Sequence, residues 1–315
     1  MSSGEETTDS QIKVSVCVVT YNQEEHIRQC LQSIVDQVTD FNFEVLVSDD
    51  FSKDSAREII SEFQKKYPSI IKPIFHKENT GAFKNYISTH RVAIGDYICH
   101  IDGDDMMCVG KLQKQASFLD ENPDCSAVAH KMSILVNNRI VGLTKDNPEK
   151  LDARYLLLNH PCFLNSSIMY KRVCGNEFLS CEENIIDFYL YVALAKNGFI
   201  GFINQPLGQY SKGVGISAGL KLMPFIQQAI DLAATYLPDR KIIGRARARQ
   251  YRSYAVASLG IGDYEKFKLY IVLMRQSHYG FLNQLMARVL GFSPKMTLFL
   301  DRVYKNIREW AKSNG

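Results

Sequence analysis

The first third of the chain alternates between two hydrophobic periods, which restricts the folds open to it. Residues 14–19 form a continuous apolar run rich in β-branched side chains, the pattern of a buried strand. Thr20-Tyr21-Asn22-Gln23 ends it, and residues 24–37 then carry Ile27, Cys30, Leu31, Ile34 and Val35 at helical spacing. Residues 43–47 are the next strand, closed by Ser48-Asp49-Asp50-Phe51-Ser52-Lys53-Asp54. A helix over 55–67 follows, with Ile59, Ile60 and Phe63 on one face and Pro68 beyond its end. A strand at 70–75, a helix at 82–93 and a strand at 97–101 complete the series. This βαβαβαβ order makes a mostly parallel sheet with helices on both faces. No GxGxxG follows the first strand, so the dinucleotide fingerprint is missing.

The fourth strand ends in Asp102-Gly103-Asp104-Asp105. Open α/β sheets place their ligands at the carboxyl ends of strands. Three aspartates this close repel one another, and a divalent cation is what lets them stay ionised cheaply. Gly103 is expected to let a bulky ligand approach the backbone. The plain alternative is an acidic turn after a strand. Thr20-Tyr21-Asn22 and Asp49-Asp50 fall on the same sheet edge, and a later acidic cluster, Glu182, Glu183 and Asp187, opens a helix. A tyrosine, two acid clusters and a metal suit a nucleotide diphosphate: the metal neutralises the leaving group, and a later carboxylate serves as base toward an incoming hydroxyl.

After the aspartates the pattern gives a helix at 111–122, a hairpin of 127–136 and 139–143 around Asn137-Asn138, and a short helix at 151–158. A strand at 165–170, a helix at 186–196 and a strand at 199–203 follow. Residues 208–219 are glycine-rich and read as a mobile loop, and from Met223 the pattern is helical to the end.

Order and spacing together resemble a family 2 glycosyltransferase with the GT-A fold. The resemblance rests on Val18-Val19-Thr20-Tyr21-Asn22, on residues 44–54, and on Asn79-Thr80-Gly81 with Gly95-Asp96-Tyr97-Ile98. It continues through Ile101-Asp102-Gly103-Asp104-Asp105, residues 111–115, Asn165-Ser166-Ser167-Ile168-Met169, and Asp187-Phe188-Tyr189-Leu190 with Gly198 and Gly201-Phe202-Ile203. It implies an inverting transfer from a nucleotide-activated sugar, with a UDP-sugar as the expected donor. Thr20, Tyr21 and Asn22 then pack on the base, and Asp50 reads it with Asp49 beside it. Asp102 and Asp104 hold ribose and a divalent metal (Mn²⁺ or Mg²⁺), which Asp105 shares, and Asp187 is the general base, with Glu183 as runner-up. Lys84 stands where many relatives carry a phosphate-binding arginine, a point charge in place of a fork. Tyr210-Ser211-Lys212-Gly213 lacks the Arg and His that many relatives have there, with Lys212 as the substitute. His100 is expected to be a core histidine whose side chain alternates away from Asp102's neighbours. His160, before Pro161, is a candidate for the acceptor side.

The implied organisation is a tail at 1–11, a GT-A catalytic domain at 12–220 and a helical basic region at 221–315. Within the domain, 12–105 is the nucleotide half and 106–220 the acceptor half. Charge divides the chain unevenly: from Pro238 onward there are 15 Lys/Arg against 5 Asp/Glu, and before it 22 against 29. Arg240, Lys241, Arg245, Arg247, Arg249 and Arg252 crowd into one stretch, and helices at 279–290 and 296–310 mix aromatics with cations. That composition suits an interfacial helix on anionic lipid, where a lipid-linked or glycan acceptor resides. A subdomain or a homodimer contact is the rival, and no recognised module around the arginines points to nucleic acid. The start of the chain lacks the basic and apolar parts of a signal peptide, no run of 18 apolar residues occurs, and the eight cysteines make no CxxC pair. The expected location is the cytoplasm, at the inner face of the plasma membrane. A nucleotidyltransferase of related fold and a non-catalytic binding scaffold are the two other readings; the first needs a basic glycine-rich loop where Tyr21-Asn22-Gln23-Glu24-Glu25 stands.

Overall fold

The computed structural model describes residues 11–182, 185–213 and 223–277. They fall into two compact units, one of residues 11–156, 160–182 and 185–213, the other of 157–159 and 223–277.

The first unit is built on a ten-stranded sheet. Strands β1 (Ile12–Thr20), β2 (Asn42–Asp49), β3 (Ile71–Phe75) and β4 (Tyr97–Asp102) lie in the order β3-β2-β1-β4 and run parallel. Between them come α1 (Glu24–Val35), α2 (Ala56–Lys66) and α3 (Ala82–Arg91). Val14, Val16 and Val18 pack against Ile27, Leu31 and Ile34 of α1 and Ile60 and Phe63 of α2 in one buried cluster. The side chains between them face the other way, where Ser15 donates to Glu44 Oε1 at 2.6 Å and accepts from the Gly95 N–H at 2.9 Å. A strand buried on both faces thus carries apolar contacts on one and satisfied polar groups on the other.

Past β4 come β5 (Met106–Met107), α4 (Lys111–Glu121), β6 (Cys125–Val136), β7 (Arg139–Leu143), β8 (Lys150–Leu151) and α5 (Ala153–Asn159). Asn137 and Asn138 turn the β6–β7 hairpin at φ 49° and 58°, the left-handed values its two-residue loop needs. The 165–170 stretch, expected to be one strand, divides: a 3₁₀ turn spans Asn165–Ser167 and β9 covers Met169–Lys171. β9 runs antiparallel between β4 and β6. It is followed by α6 (Asn176–Leu179), α7 (Asp187–Lys196) and β10 (Phe199–Ser211). β10 runs well past the expected end at 203, because Gly208, Gln209, Tyr210 and Ser211 pair with β6, and the first two also with β5. The front of the glycine-rich stretch is therefore sheet; residues 214–219 lie outside the described residues, as do all of the N-terminal tail except Gln11 and the helices expected at 279–290 and 296–310.

The second unit contains α8 (Met223–Tyr236), α9 (Arg240–Gly260) and α10 (Tyr264–Gln276). Asp239 caps α9 by accepting from the Lys241 and Ile242 N–H groups, and Asp263 caps α10 through Lys266. Of the crowded cations, Arg240, Lys241 and Arg245 are exposed, while Arg247 pairs with Asp231 at 2.6 Å. Among the described residues no helix is long and apolar enough to cross a membrane.

Candidate active site

Parallel pairing brings the strand ends together. Thr20 stands opposite Asp49, and Val19 opposite Asp102. The turns after β1, β2 and β4 therefore share one edge of the sheet.

Asp102 is the exposed member of the acidic cluster, with 43% of its side chain accessible. Its Oδ1 lies 3.1 Å from His100 Nε2. Its N–H donates to Ser166 Oγ at 3.0 Å, and the Ser166 hydroxyl reaches Oδ2 at 3.3 Å. Burial opposes ionisation there, but the His100 and Ser166 contacts outweigh it and hold the carboxyl below the usual aspartate range. Asp104 and Asp105 behave oppositely. Asp104 is 8% exposed, and burial followed by the Asp102 charge pushes it up to about 6. Asp105 is 1% exposed; burial and then the charges of Asp102 and Asp104 drive it well above the ordinary range. It accepts from the Ser211 N–H at 2.9 Å, and among the described residues its Oδ2 is buried without a hydrogen-bond partner. The Ser211 hydroxyl also donates to the Asp104 carbonyl at 2.6 Å, so the end of β10 clasps the acidic turn.

Two carboxyls raised by burial and by neighbouring negative charge, one with an orphaned oxygen, are hard oxygen donors that fit a Mg²⁺- or Mn²⁺-class cation. Among the described residues no three His, Cys, Asp or Glu side chains are placed to hold a metal on their own. A cation of that class takes one or two carboxylates and completes its shell from phosphates and water.

Gly103 differs from the expectation. A Cβ there would lie 2.7 Å from Gln23 Oε1 and 2.9 Å from Thr20 Cβ. Its bare α-carbon serves packing against the β1 turn. Thr20 is 3% exposed and donates to Gln23 Oε1 at 2.8 Å, while Tyr21 is 44% exposed and Asn22, at φ 52°, is exposed beside it. Thr20 thus shapes the turn, and Tyr21 and Asn22 present its surface.

The early acid pair separates into two functions. Asp50 gathers the Asn79–Gly81 loop: its carboxylate accepts from Thr80 N–H and Oγ1 at 2.7 Å each and from Gly81 N–H at 2.9 Å. An ionised carboxylate offers about four acceptor directions, so about one remains. Asp49 is fully buried, accepts from the Ser52 N–H at 3.0 Å and pairs with Arg57, which also holds the His76 carbonyl. It anchors α2 to the sheet, and among the described residues its Oδ2 is buried without a hydrogen-bond partner. Lys84 is exposed in the first turn of α3.

Asp187 opens α7. Its Oδ1 accepts from the Phe188 N–H at 2.8 Å, and its Oδ2 lies 3.1 Å from the Tyr191 hydroxyl, which is also 3.1 Å from Asn165 Oδ1. Burial raises its carboxyl above the ordinary range, and the Asp102 charge adds to the rise against the Tyr191 and Phe188 hydrogen bonds. The 3₁₀ turn therefore links the two carboxylates: Ser166 touches Asp102, and its neighbour Asn165 meets Tyr191 beside Asp187. Beneath the turn, buried Lys111 donates to the Ser166 carbonyl at 2.7 Å and Gln115 to the Ser167 carbonyl at 2.9 Å. The sequence carries these residues in matching motifs without revealing what they touch. The fold alone gives Ser166, Tyr191 and Ser211 their parts.

His100 is fully buried, as expected of a core histidine, and it faces Asp102. Residues two apart on a strand share a face, so alternation brings the pair together. His160 packs its ring on Phe188, with centroids 3.9 Å apart, next to Asp187. Glu183 lies outside the described residues, and Lys212 is exposed just past β10.

Proteins of known structure share this architecture. The Staphylococcus aureus TarS fragment solved with UDP-GlcNAc superposes with a TM-score of 0.59 at 18% identity, over 85% of this chain and 93% of that one. A mannosyltransferase of Pyrobaculum calidifontis, PcManGT, solved with GDP-Man and Mn²⁺, gives 0.56 at 16% over 94% and 85%. At such identities the likeness concerns the fold, which is GT-A. An uncharacterised protein of Mycobacterium tuberculosis is 29% identical over 63% of this chain, and the match spans 58% of that protein's length. The Escherichia coli UDP-Glc:α-D-GlcNAc-diphosphoundecaprenol β-1,3-glucosyltransferase WfgD is 30% identical over 61% of this chain and 73% of its own. The model of glycosyl transferase family 2 matches residues 15–174, from the middle of β1 through the turn that supports Asp102, and the chain belongs to that family.

Proposed function

We propose that the chain is an inverting glycosyltransferase. It moves a sugar from a nucleotide diphosphate, UDP in the first instance, to a hydroxyl of a glycan or lipid-linked acceptor in surface polysaccharide synthesis. The observation that carries this reading is the link Asp102–Ser166/Asn165–Tyr191–Asp187, which sets an ionised carboxylate and a carboxyl raised by burial on either side of one short turn. A single displacement needs this division of labour. One group holds the donor at the sheet edge, and a separate base with a raised pKa removes the acceptor proton as the new bond forms.

In this reading the exposed Tyr21 ring packs on the base with Thr20 and Asn22 shaping the turn, and Asp50 reads a ring N–H through its remaining acceptor direction. Asp102 binds ribose hydroxyls, and Lys84, exposed in the first turn of α3, faces phosphate. Asp104, with Asp102 or Asp105, would hold a divalent cation, whose chemistry is to neutralise charge on the departing diphosphate. Asp187 accepts the acceptor's proton. The choice of UDP and of a lipid-linked acceptor is supported by the substrates in the name of the E. coli relative. Residues 12–220 form the catalytic domain in this reading. The exposed Arg240, Lys241 and Arg245 on α9 supply charge for an anionic membrane surface.

Thermal stabilisation by UDP, GDP and other nucleoside diphosphates, with Mn²⁺ or with chelator, tests the reading. A ligand at a hundred times its Kd adds about 2.7 kcal/mol, so a UDP shift that disappears in chelator is expected. Folded protein that shifts with none of them would overturn it.

A further inference from the structure

Behind Asp102 lies a row of buried polar rings that the proposed mechanism does not use. His100 Nε2 faces Asp102 Oδ1 at 3.1 Å, His100 Nδ1 faces His90 Nε2 at 3.0 Å, and His90 Nδ1 faces the Tyr170 hydroxyl at 2.8 Å. His100 and Tyr170 are fully buried and His90 is 1% exposed. Tyr86 covers both imidazoles, stacked on His90 at 4.0 Å between centroids and tilted on His100 at 4.5 Å.

The donors in this row can be assigned by accounting for every proton. An aspartate at neutral pH only accepts, so His100 Nε2 carries a proton. If His100 is neutral, its Nδ1 accepts from His90 Nε2–H, and His90 Nδ1 accepts from the Tyr170 O–H. Every proton then has an acceptor. If His100 were an imidazolium, the direction would reverse at His90 and the tyrosine would become an acceptor. Its own proton would then have no partner among the described residues, since its one hydrogen bond there is to His90. A buried hydroxyl left so costs about 1–3 kcal/mol. Burial lowers the His90 pKa well below the ordinary value, which keeps that ring neutral.

We infer that Tyr170, His90 and His100 form a one-way chain of donors that fixes Asp102, with His100 as its positioning residue. The inference rests on the donor-site reading of Asp102. The chain matters because Asp102 is substantially exposed, and an exposed carboxylate otherwise samples several rotamers. With Oδ1 occupied from behind by His100, the face beside Ser166 is presented to a ribose. A hydroxyl three hydrogen bonds away thereby helps set donor affinity.

The experiment uses the full chain. ¹⁵N–¹H spectra of the ligand-free protein should show bare Nδ1 and protonated Nε2 for both His90 and His100. Binding of UDP with Mn²⁺ is then measured by calorimetry, and the donor KM and kcat by turnover. His100→Leu should weaken UDP roughly ten-fold and raise the donor KM more than it lowers kcat, as expected for loss of a hydrogen bond to a charged group. His100→Gln keeps a donor at Asp102 and should stay within about two-fold of wild type. Tyr170→Phe frees the His90 tautomer and should weaken UDP about three-fold, the range of one neutral hydrogen bond. Phe178→Leu loosens the same core, where Phe178 meets the Tyr86 edge, without touching the chain, and should leave affinity alone. Equal affinity in wild type, His100→Leu and Tyr170→Phe would overturn the inference, as would a Phe178→Leu loss matching that of Tyr170→Phe, or a bare Nε2 on His90. If wild type bound no nucleotide, the donor-site reading would fall and this inference with it.

Discussion

Asp104→Asn should make the metal-free protein more stable while abolishing its chemistry. The carboxyl is 8% exposed and is pushed up to about 6 by burial and by Asp102. An unfolded aspartate titrates near 3.9. The folded chain therefore binds this proton more tightly than the unfolded chain does, so its contribution is best at low pH. Stability is lost as the pH rises from about 4 to about 6. The gap of about two pH units, at about 1.36 kcal/mol each, makes ionised Asp104 a liability of about 3 kcal/mol at neutral pH. Asparagine has nearly the same shape and no charge. It also gives up part of the hydrogen bonding from Gln23, so we expect about half of that ceiling. For a unit of this size that is a rise in Tm of about 3–6 °C. The assay is thermal unfolding of both proteins in chelator, from pH 4 to pH 7.5. The gain should be full at pH 7.5 and absent near pH 4, where both side chains are uncharged. Added Mn²⁺ should raise wild type and leave the variant unchanged. A variant less stable than wild type at pH 7.5, or a gain of the same size at both ends of the range, would refute the electrostatic argument for a cation site.

Asp187→Asn should lower kcat by about 10²–10⁴-fold, the usual worth of a general base, while calorimetry shows UDP affinity within about two-fold of wild type; undiminished turnover would remove Asp187 from that role. Arg57→Met leaves Asp49 charged, buried and unpaired, and should cost about 3–5 kcal/mol in a denaturant melt; a loss under 1 kcal/mol would mean that Asp49 does not depend on its partner. Gly103→Ala drives a methyl group into Gln23 and Thr20 and should cost about 1–3 kcal/mol with a fall in kcat/KM, because the flanking aspartates must move; wild-type Tm and turnover would show that the turn has slack.

Hydrophobic period carried much of the fold. The valine run of β1, the helical spacing of Ile27, Leu31 and Ile34, and the repeat of that pair of patterns are local signals, and the parallel sheet follows from their order. The edge location of Asp50, Asp102 and Asp104 came with it. Legibility failed where pairing is long-range. The 165–170 segment ends in the strand-like Ile168-Met169-Tyr170, but its first three residues curl to meet Lys111, Gln115 and Asp102, which no local pattern encodes. β10 continues through Gly208 because β6 and β5 supply partners on either side.

The acidic residues divide in the same way. That carboxylates gather at one sheet edge was set by the sequence, since strand order and the placement of aspartates at strand ends are enough to require it. Which partner each of them meets was decided by the tertiary structure. Asp49 and Asp50 are adjacent and chemically alike, yet one is spent on Arg57 inside the protein and the other organises the Asn79–Gly81 loop. His100 meets His90 from the preceding helix, which the distant Tyr170 in turn contacts, and Asp187 meets Tyr191 one helical turn on, to which the fold brings Asn165. A side chain's period along its own strand or helix tells which way it points. Its pKa and hydrogen bonds depend on what the rest of the chain brings to meet it.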